Sequence, residues 1–229
     1  MSAPATTAEL RELAAPIWST MVGHEFPRAL ATGVLPPERF RFYISQNLLY
    51  LPEYARMIAA AASRSRDLGT LAEYTAALEN IVVTEIPENE RLRAAVEAIA
   101  GPATELESTV MAPATAAYTA WLLSVAATGD SDDVSAALLP CAWSYGEIAR
   151  ALLPEVVDHP VYAAWIGFFA SDAYDAVVQR LRVALDRDLP QFTEAKRERL
   201  AAIFLMGCRM ERQFWDQGLS GGHWPDLQA

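Results

Sequence analysis

With 229 residues, the chain is long enough to bury a substantial core, and 52% apolar residues with 10% aromatics exclude a disordered polar chain. Lys and Arg number 18 against 29 Asp and Glu, and the net charge of −11 argues against the basic footprint that nucleic-acid phosphates or anionic membranes require. The two cysteines, Cys141 and Cys208, form no CxxC pair, so a zinc knuckle and a thioredoxin-type site are excluded while one disulfide stays open.

Residues 1–8 read as a frayed tail. They lack the basic start and apolar centre of a secretory leader, and no uninterrupted apolar run reaches membrane-spanning length, so a cytoplasmic protein is expected. Helical periodicity begins near Ala8 and carries Leu10, Leu13, Ile17 and Trp18; Pro27 interrupts it or marks a turn. Pro36 and Pro37 open a long amphipathic helix, and Glu38 suits the positive end of its dipole. Phe40, Ile44, Asn47, Leu48 and Leu51 recur along it until Pro52, which predicts a kink or a division. The pattern resumes through Tyr54, Met57, Ile58 and Ala61.

A second long helix is predicted over residues 68–85. Residues 87–89 break the pattern, and a shorter helix carries Leu92, Val96 and Ile99 to a stop at Gly101-Pro102. Residues 113–127 form another helix. Asp130, Ser131, Asp132 and Asp133 offer caps for the helix that carries Cys141, with Pro140 predicting a kink or a late start. Pro160 opens a helix running through Trp165, Phe169 and Tyr174 to about Leu185. The last helix spans Pro190 to Gln217, ended by Gly218, Gly221 and Gly222. Weak β alternation and no visible domain boundary predict one all-α domain over residues 1–229, a compact bundle of six to eight helices.

Three groups can carry chemistry. Cys141 and Tyr145 are i,i+4 and share a helix face; the cysteine is either a small core hydrophobe or a nucleophile, depending on whether its surroundings favour the thiolate. Tyr43, Asn47, Tyr50 and Tyr54 place polar tips along one helix, where Asn47 can donate to and accept from a heteroaromatic edge. Their plain alternative is a tyrosine-rich helix seam. Glu211 stands in an apolar helical stretch, either as a buried proton relay or paired with Arg209 or Arg212. Metal chemistry is unsupported: no Glu stands three residues before His24, His159 or His223, so the Glu-x-x-His element is absent. Glu85 and Glu88 read as solvated or near a helix end, and His24 as structural.

The ordered segments His24-Glu25-Phe26, Gly33-Val34-Leu35-Pro36 and Phe40-x-x-Tyr43-Ile44-x-Gln46-Asn47-x-x-Tyr50-Leu51 resemble the TenA family, also called thiaminase II or aminopyrimidine aminohydrolase. Leu138-Leu139-Pro140-Cys141-x-Trp143-x-Tyr145-x-Glu147, His159-Pro160-x-Tyr162-x-x-Trp165-Ile166 and Glu211-x-x-Phe214-Trp215 extend the resemblance over nearly the whole chain.

The resemblance implies a haem-oxygenase-like bundle without haem, cofactor or metal, assembled as a homotetramer. It also implies hydrolysis of a small heteroaromatic substrate, a thiamin-derived aminomethylpyrimidine or thiamin itself, in thiamin salvage. The family nucleophile falls on Cys141, its neighbouring tyrosine on Tyr145 and its carboxylate on Glu211, which form the expected catalytic set. Tyr50, Tyr118, Tyr43, Asn47 and Phe169 form the expected substrate-binding set. Two positions depart from the family pattern: Asn47 stands where aspartate is usual, and Phe169 where tyrosine is common. These departures keep two alternatives open, a diverged enzyme for another heteroaromatic or secondary metabolite, and a catalytically silent pyrimidine-binding protein.

Overall fold

The computed structural model describes residues 3–227, so Met1 and Ser2 of the expected tail lie outside it. Twelve α-helices occur among the described residues: Thr7–Leu13 (α1), Ala15–Val22 (α2), Glu25–Ala31 (α3), Pro37–Ala62 (α4), Leu68–Glu79 (α5), Ile86–Ala100 (α6), Glu105–Thr109 (α7), Pro113–Thr128 (α8), Ser131–Leu152 (α9), Tyr162–Phe169 (α10), Asp172–Asp188 (α11) and Glu194–Ser220 (α12). A π-helical stretch, Asn80–Glu85, joins α5 to α6. The architecture is the expected all-α bundle, with more and shorter helices than the periodicity alone suggested.

The N-terminal tail is shorter than expected. Thr6 caps α1 by accepting from Glu9 N–H, and Thr7, fully buried, donates its N–H to Asp186 of α11 at 2.5 Å. Pro27 lies in the first turn of α3, where its missing N–H has no intrahelical partner to lose. His24 starts that helix: Nδ1 accepts from Phe26 N–H at 3.1 Å, which leaves Nε2 to donate to Asp216 at 3.0 Å.

Pro52 neither ends nor divides α4, because buried side chains hold both halves against the core. Pro87 is no break either. It occupies the first turn of α6, immediately after the wider π turn. The β-branched run over residues 81–84, poorly suited to tight α packing, supplies that turn. The helix expected from Pro160 is two helices, because Ser171 accepts from Tyr174 N–H and starts α11 afresh. The last helix begins later than expected, capped by Thr193, and Gly221 ends it at φ 66°, a left-handed conformation natural to glycine.

The core elements are α4, α8, α9 and α12, with α9 running along α12. Asp130 caps α9 by accepting from the N–H groups of Asp132 and Asp133, and the Asp133 carboxylate answers Asp130 N–H. Lys196 and Arg199 of α12 bond the same Asp133 at 2.9 and 3.1 Å, so the α9 cap also registers α12. Further along, a Cβ on Gly207 would stand 2.8 Å from Pro140 Cγ. Gln46 of α4 clamps the segment before α8, donating to the Glu107 and Val110 carbonyls and accepting from Ala112 N–H. Gln217 of α12 accepts from the N–H groups of Ala114 and Thr115 at the start of α8.

One stretch, Glu105–Thr128, is long and apolar enough by composition to cross a membrane, contrary to the expectation from the sequence. It is two helices in the structure. Glu107 pairs with Arg41 at 3.2 Å, and α8 buries Tyr118, Leu122 and Val125 within the bundle.

Candidate active site

Five helices supply the expected residues: Tyr43, Asn47 and Tyr50 come from α4, Tyr118 from α8, Cys141 and Tyr145 from α9, Phe169 from α10 and Glu211 from α12. Tyr50, Tyr118, Cys141 and Glu211 act on one another, whereas Asn47 meets Asn89 of α6 and is not in the lining of the cavity at Cys141. Gly207 and Glu211 are i,i+4, so the face of α12 that meets Pro140 also carries the carboxylate towards Cys141.

Glu211 is 1% exposed, and its Oε1 accepts from the Tyr118 hydroxyl at 2.6 Å. The pairing with Arg209 or Arg212 does not form; Arg212 bonds Asp216 instead. Burial pushes the Glu211 carboxyl up to about 7, against the opposing pull of Tyr118 and the neighbouring Cys141 thiol. Its Oε2 is buried and has no hydrogen-bond partner of good geometry, and the same is true of the Tyr50 hydroxyl. Both groups nevertheless act electrostatically on Cys141.

Cys141 and Cys208 are both free, so no disulfide forms. Burial, then Glu211, then Glu85 push the Cys141 thiol well above its ordinary range, while Tyr50 pulls the other way. At neutral pH the resting sulfur therefore carries its proton. An ionised Glu211 beside it is a base able to receive that proton when a ligand stabilises the thiolate product.

Tyr145 is held by aromatic packing. Trp215 stacks on Tyr145 at 4.9 Å and on Tyr43 at 5.4 Å between ring centroids, and Phe169 meets Tyr145 edge-on at 4.9 Å. Tyr43 donates to the Tyr145 hydroxyl at 3.3 Å, so it stands behind Tyr145 and orients it. Tyr50 packs against Tyr118 at 5.0 Å. Burial raises the hydroxyls of Tyr50, Tyr118 and Tyr145, which keeps them protonated donors.

A cavity of about 30 Å³ reaches Cys141, Tyr50 and Tyr54 and continues to Glu85 and Tyr174. It has room for a water or two, so a heteroaromatic ring must displace side chains to enter. A cavity of about 270 Å³ opens between α5 and α11 and shares Tyr74, Ala77, Val177 and Leu181 with the inner one. It contains neither Cys141 nor Glu211. Among the described residues, no three His, Cys, Asp or Glu side chains cluster as metal ligands.

Residues 11–221 match the TENA/THI-4/PQQC family model. The chain belongs to the TENA/THI-4/PQQC family. An aminopyrimidine aminohydrolase from Halalkalibacterium halodurans is 35% identical over 219 residues, covering 95% of this chain and 96% of the relative. The TenA homologue protein from P. horikoshii OT3 superposes with a TM-score of 0.83 at 29% identity, covering 94% of this chain and 99% of that one. At 14% identity and a TM-score of 0.70, a Shewanella denitrificans domain described as having a heme oxygenase-like fold shares the architecture, over 97% of this chain and 98% of that one.

Within this TENA/THI-4/PQQC chain, Asn47 has a local cause. The Glu85 backbone carbonyl can only accept, and Asn89 Nδ2 donates to it at 2.8 Å. That fixes the Asn89 amide with its oxygen towards residue 47, which must then donate, and Asn47 Nδ2 does so at 2.8 Å. An aspartate at 47 would present oxygen to oxygen. Sequence reasoning missed Asn89 and only half placed Glu85. Glu85 does lie at a helix end, closing the π-helical stretch before α6, but it is 8% exposed and lines the Cys141 cavity, so it is not solvated. Burial raises its carboxyl to about 7. The Glu85-x-x-x-Asn89 spacing was the available signal, but only the π turn determines the face on which it lies.

Proposed function

We propose that this protein hydrolyses a thiamin-derived 4-amino-5-(aminomethyl)pyrimidine, with thiamin as a second substrate, in thiamin salvage. The observation that carries the reading is the buried Tyr118–Glu211 pair beside the half-buried Cys141, a nucleophile with its own proton acceptor. The likeness to aminopyrimidine aminohydrolases supports the substrate class.

In the proposed reaction, Glu211 takes the Cys141 proton as sulfur bonds to a ring carbon. The displaced electron pair breaks the exocyclic carbon–nitrogen bond, so the ammonium departs as neutral ammonia and leaves a methylene. Water adds to that carbon and gives its proton to the ammonia; the carbon–sulfur bond then breaks to restore the aromatic ring, and the thiolate takes its proton back from Glu211. Tyr118 keeps one Glu211 oxygen occupied, so proton traffic uses the other. Tyr145 orients the exocyclic group, and Tyr50 and Phe169 form walls. The Asn47 Oδ1 remains available to accept from the ring's amino group, because its Nδ2 is taken by Asn89. An expected homotetramer in the cytoplasm belongs to the same proposal.

Asn47 also motivates a second reading, a related heteroaromatic whose edge calls for a neutral acceptor. Steady-state ammonia release from the aminomethylpyrimidine tests the first reading against a panel of other aminomethyl heteroaromatics. Full activity in Cys141→Ala would remove the nucleophile from the mechanism.

A further inference from the structure

The inner cavity has one end that the proposed chemistry does not use. It is formed by Glu85, Tyr54 and Tyr174, and the same cavity reaches Cys141 at its other end. Glu85 is more than nine-tenths buried, yet no hydrogen bond or ion pair from the described residues engages its carboxylate. The Asn89 contact uses only its backbone carbonyl. The Glu85 carboxylate oxygens are not sealed in the core as Glu211 Oε2 is; they border the cavity that Glu85 lines, where a carboxylate ordinarily takes a donor.

The lining indicates what that partner is. No Lys or Arg among the described residues lines this cavity, so its fixed charge is negative. Tyr54 and Tyr174 add aromatic rings beside the carboxylate, and ring faces attract cations. Tyr54 points its hydroxyl to the Leu138 carbonyl at 3.5 Å, which leaves it no role as a donor to Glu85. Glu85 and Cys141 line the same cavity, and Glu85 and Glu211 both push the Cys141 thiol upward. Of the two, Glu211 alone has a hydroxyl bonded to it.

We infer that Glu85, with Tyr54 and Tyr174, forms a subsite for the cationic exocyclic group of the substrate, a primary ammonium or a heteroaromatic cation. This rests on the aminopyrimidine reading and assigns Glu85 a task separate from that of Glu211. Glu211 exchanges protons with Cys141, whereas Glu85 holds the cationic group until the carbon–nitrogen bond breaks and the group departs neutral. The adjoining 270 Å³ cavity between α5 and α11 gives that group a way out and offers space for a leaving group bulkier than ammonia.

The test is a binding comparison in a Cys141→Ala background, where turnover is blocked. Titration calorimetry would use the cationic 5-aminomethyl pyrimidine and its neutral 5-hydroxymethyl counterpart. The cation is expected to bind about tenfold or more tightly than the neutral compound, as a charge-assisted contact warrants. Adding Glu85→Gln removes that preference and leaves the neutral affinity within about threefold, while Glu85→Asp retains part of it. Retained affinity for the neutral compound also shows that the variant is folded. A preference unchanged by Glu85→Gln would overturn the subsite and leave the aminopyrimidine reading standing. Binding of neither compound before Glu85 is altered would overturn the aminopyrimidine reading, and the subsite with it.

Discussion

Gly207 of α12 lies against Pro140 of α9 so closely that even a methyl group would come within 2.8 Å of the proline ring and 3.3 Å of the Ala137 carbonyl. This contact sets the distance between the helix carrying Cys141 and the helix carrying Glu211. Neither neighbour is a flexible side-chain tip, so the helices themselves must part to admit a larger residue. Gly207→Ala is therefore expected to destabilise the fold by about 1–3 kcal/mol despite its better helix propensity. It should also lower kcat/KM more than Ala substitution at exposed Arg209. Thermal unfolding and steady-state hydrolysis measured on the same preparations check both effects.

Tyr118→Phe deletes the hydroxyl bonded to Glu211 while keeping the ring against Tyr50. That hydroxyl lowers the carboxyl's proton affinity, so its loss moves the carboxyl above about 7. If the reaction requires ionised Glu211, the acidic limb of the kcat/KM profile shifts to higher pH in the variant. An unshifted limb would separate Glu211 from the rate-controlling ionisation.

Glu211 and Glu85 each rise from an ordinary 4.5 to about 7 on burial. Between those values each group binds more protons in the folded protein than in the unfolded chain, so the contribution of these two groups to stability is greatest below 4.5 and falls as pH climbs to about 7. The ceiling for each group is about 3 kcal/mol. Glu211→Gln should consequently exceed the parent protein in stability at pH 8 by up to that order, with the gap closing towards pH 5, while hydrolysis is lost. Urea unfolding at several pH values measures the gap, and a constant difference would contradict the linkage.

Asn47→Asp sets a carboxylate oxygen against Asn89 Oδ1, whose orientation the Glu85 carbonyl dictates. A loss of about 1–3 kcal/mol is expected, without a gain in turnover. A more active and equally stable variant would mean that the Asn89 amide flips readily.

Much of this arrangement was legible from spacing. The i,i+4 relation of Cys141 and Tyr145 and the acidic caps before α9 follow from local rules that the structure keeps. The family resemblance, not spacing, implied that Tyr50, Tyr118, Cys141 and Glu211 share a site. The prolines divide less than the sequence suggests: Pro52 and Pro140 lie inside continuous helices and Pro87 in the first turn of α6, so none of them ends a helix. Glu85 was misread because helical periodicity assumes 3.6 residues per turn, and residues 80–85 depart from it.

That departure has a consequence for how the chain tolerates length changes. Each residue advances an α-helix by about 100°. Deleting one residue from 80–85 would let the π turn relax into ordinary helix while α6 kept its face towards α5, because the wider turn absorbs one extra residue without turning the helix that follows. The change would fall on the residues of the wide turn itself, while nearly every core side chain of the flanking helices kept its place. The fold would survive such a lesion better than the pocket, because a single inserted residue is what turns this stretch from bundle scaffold into cavity wall.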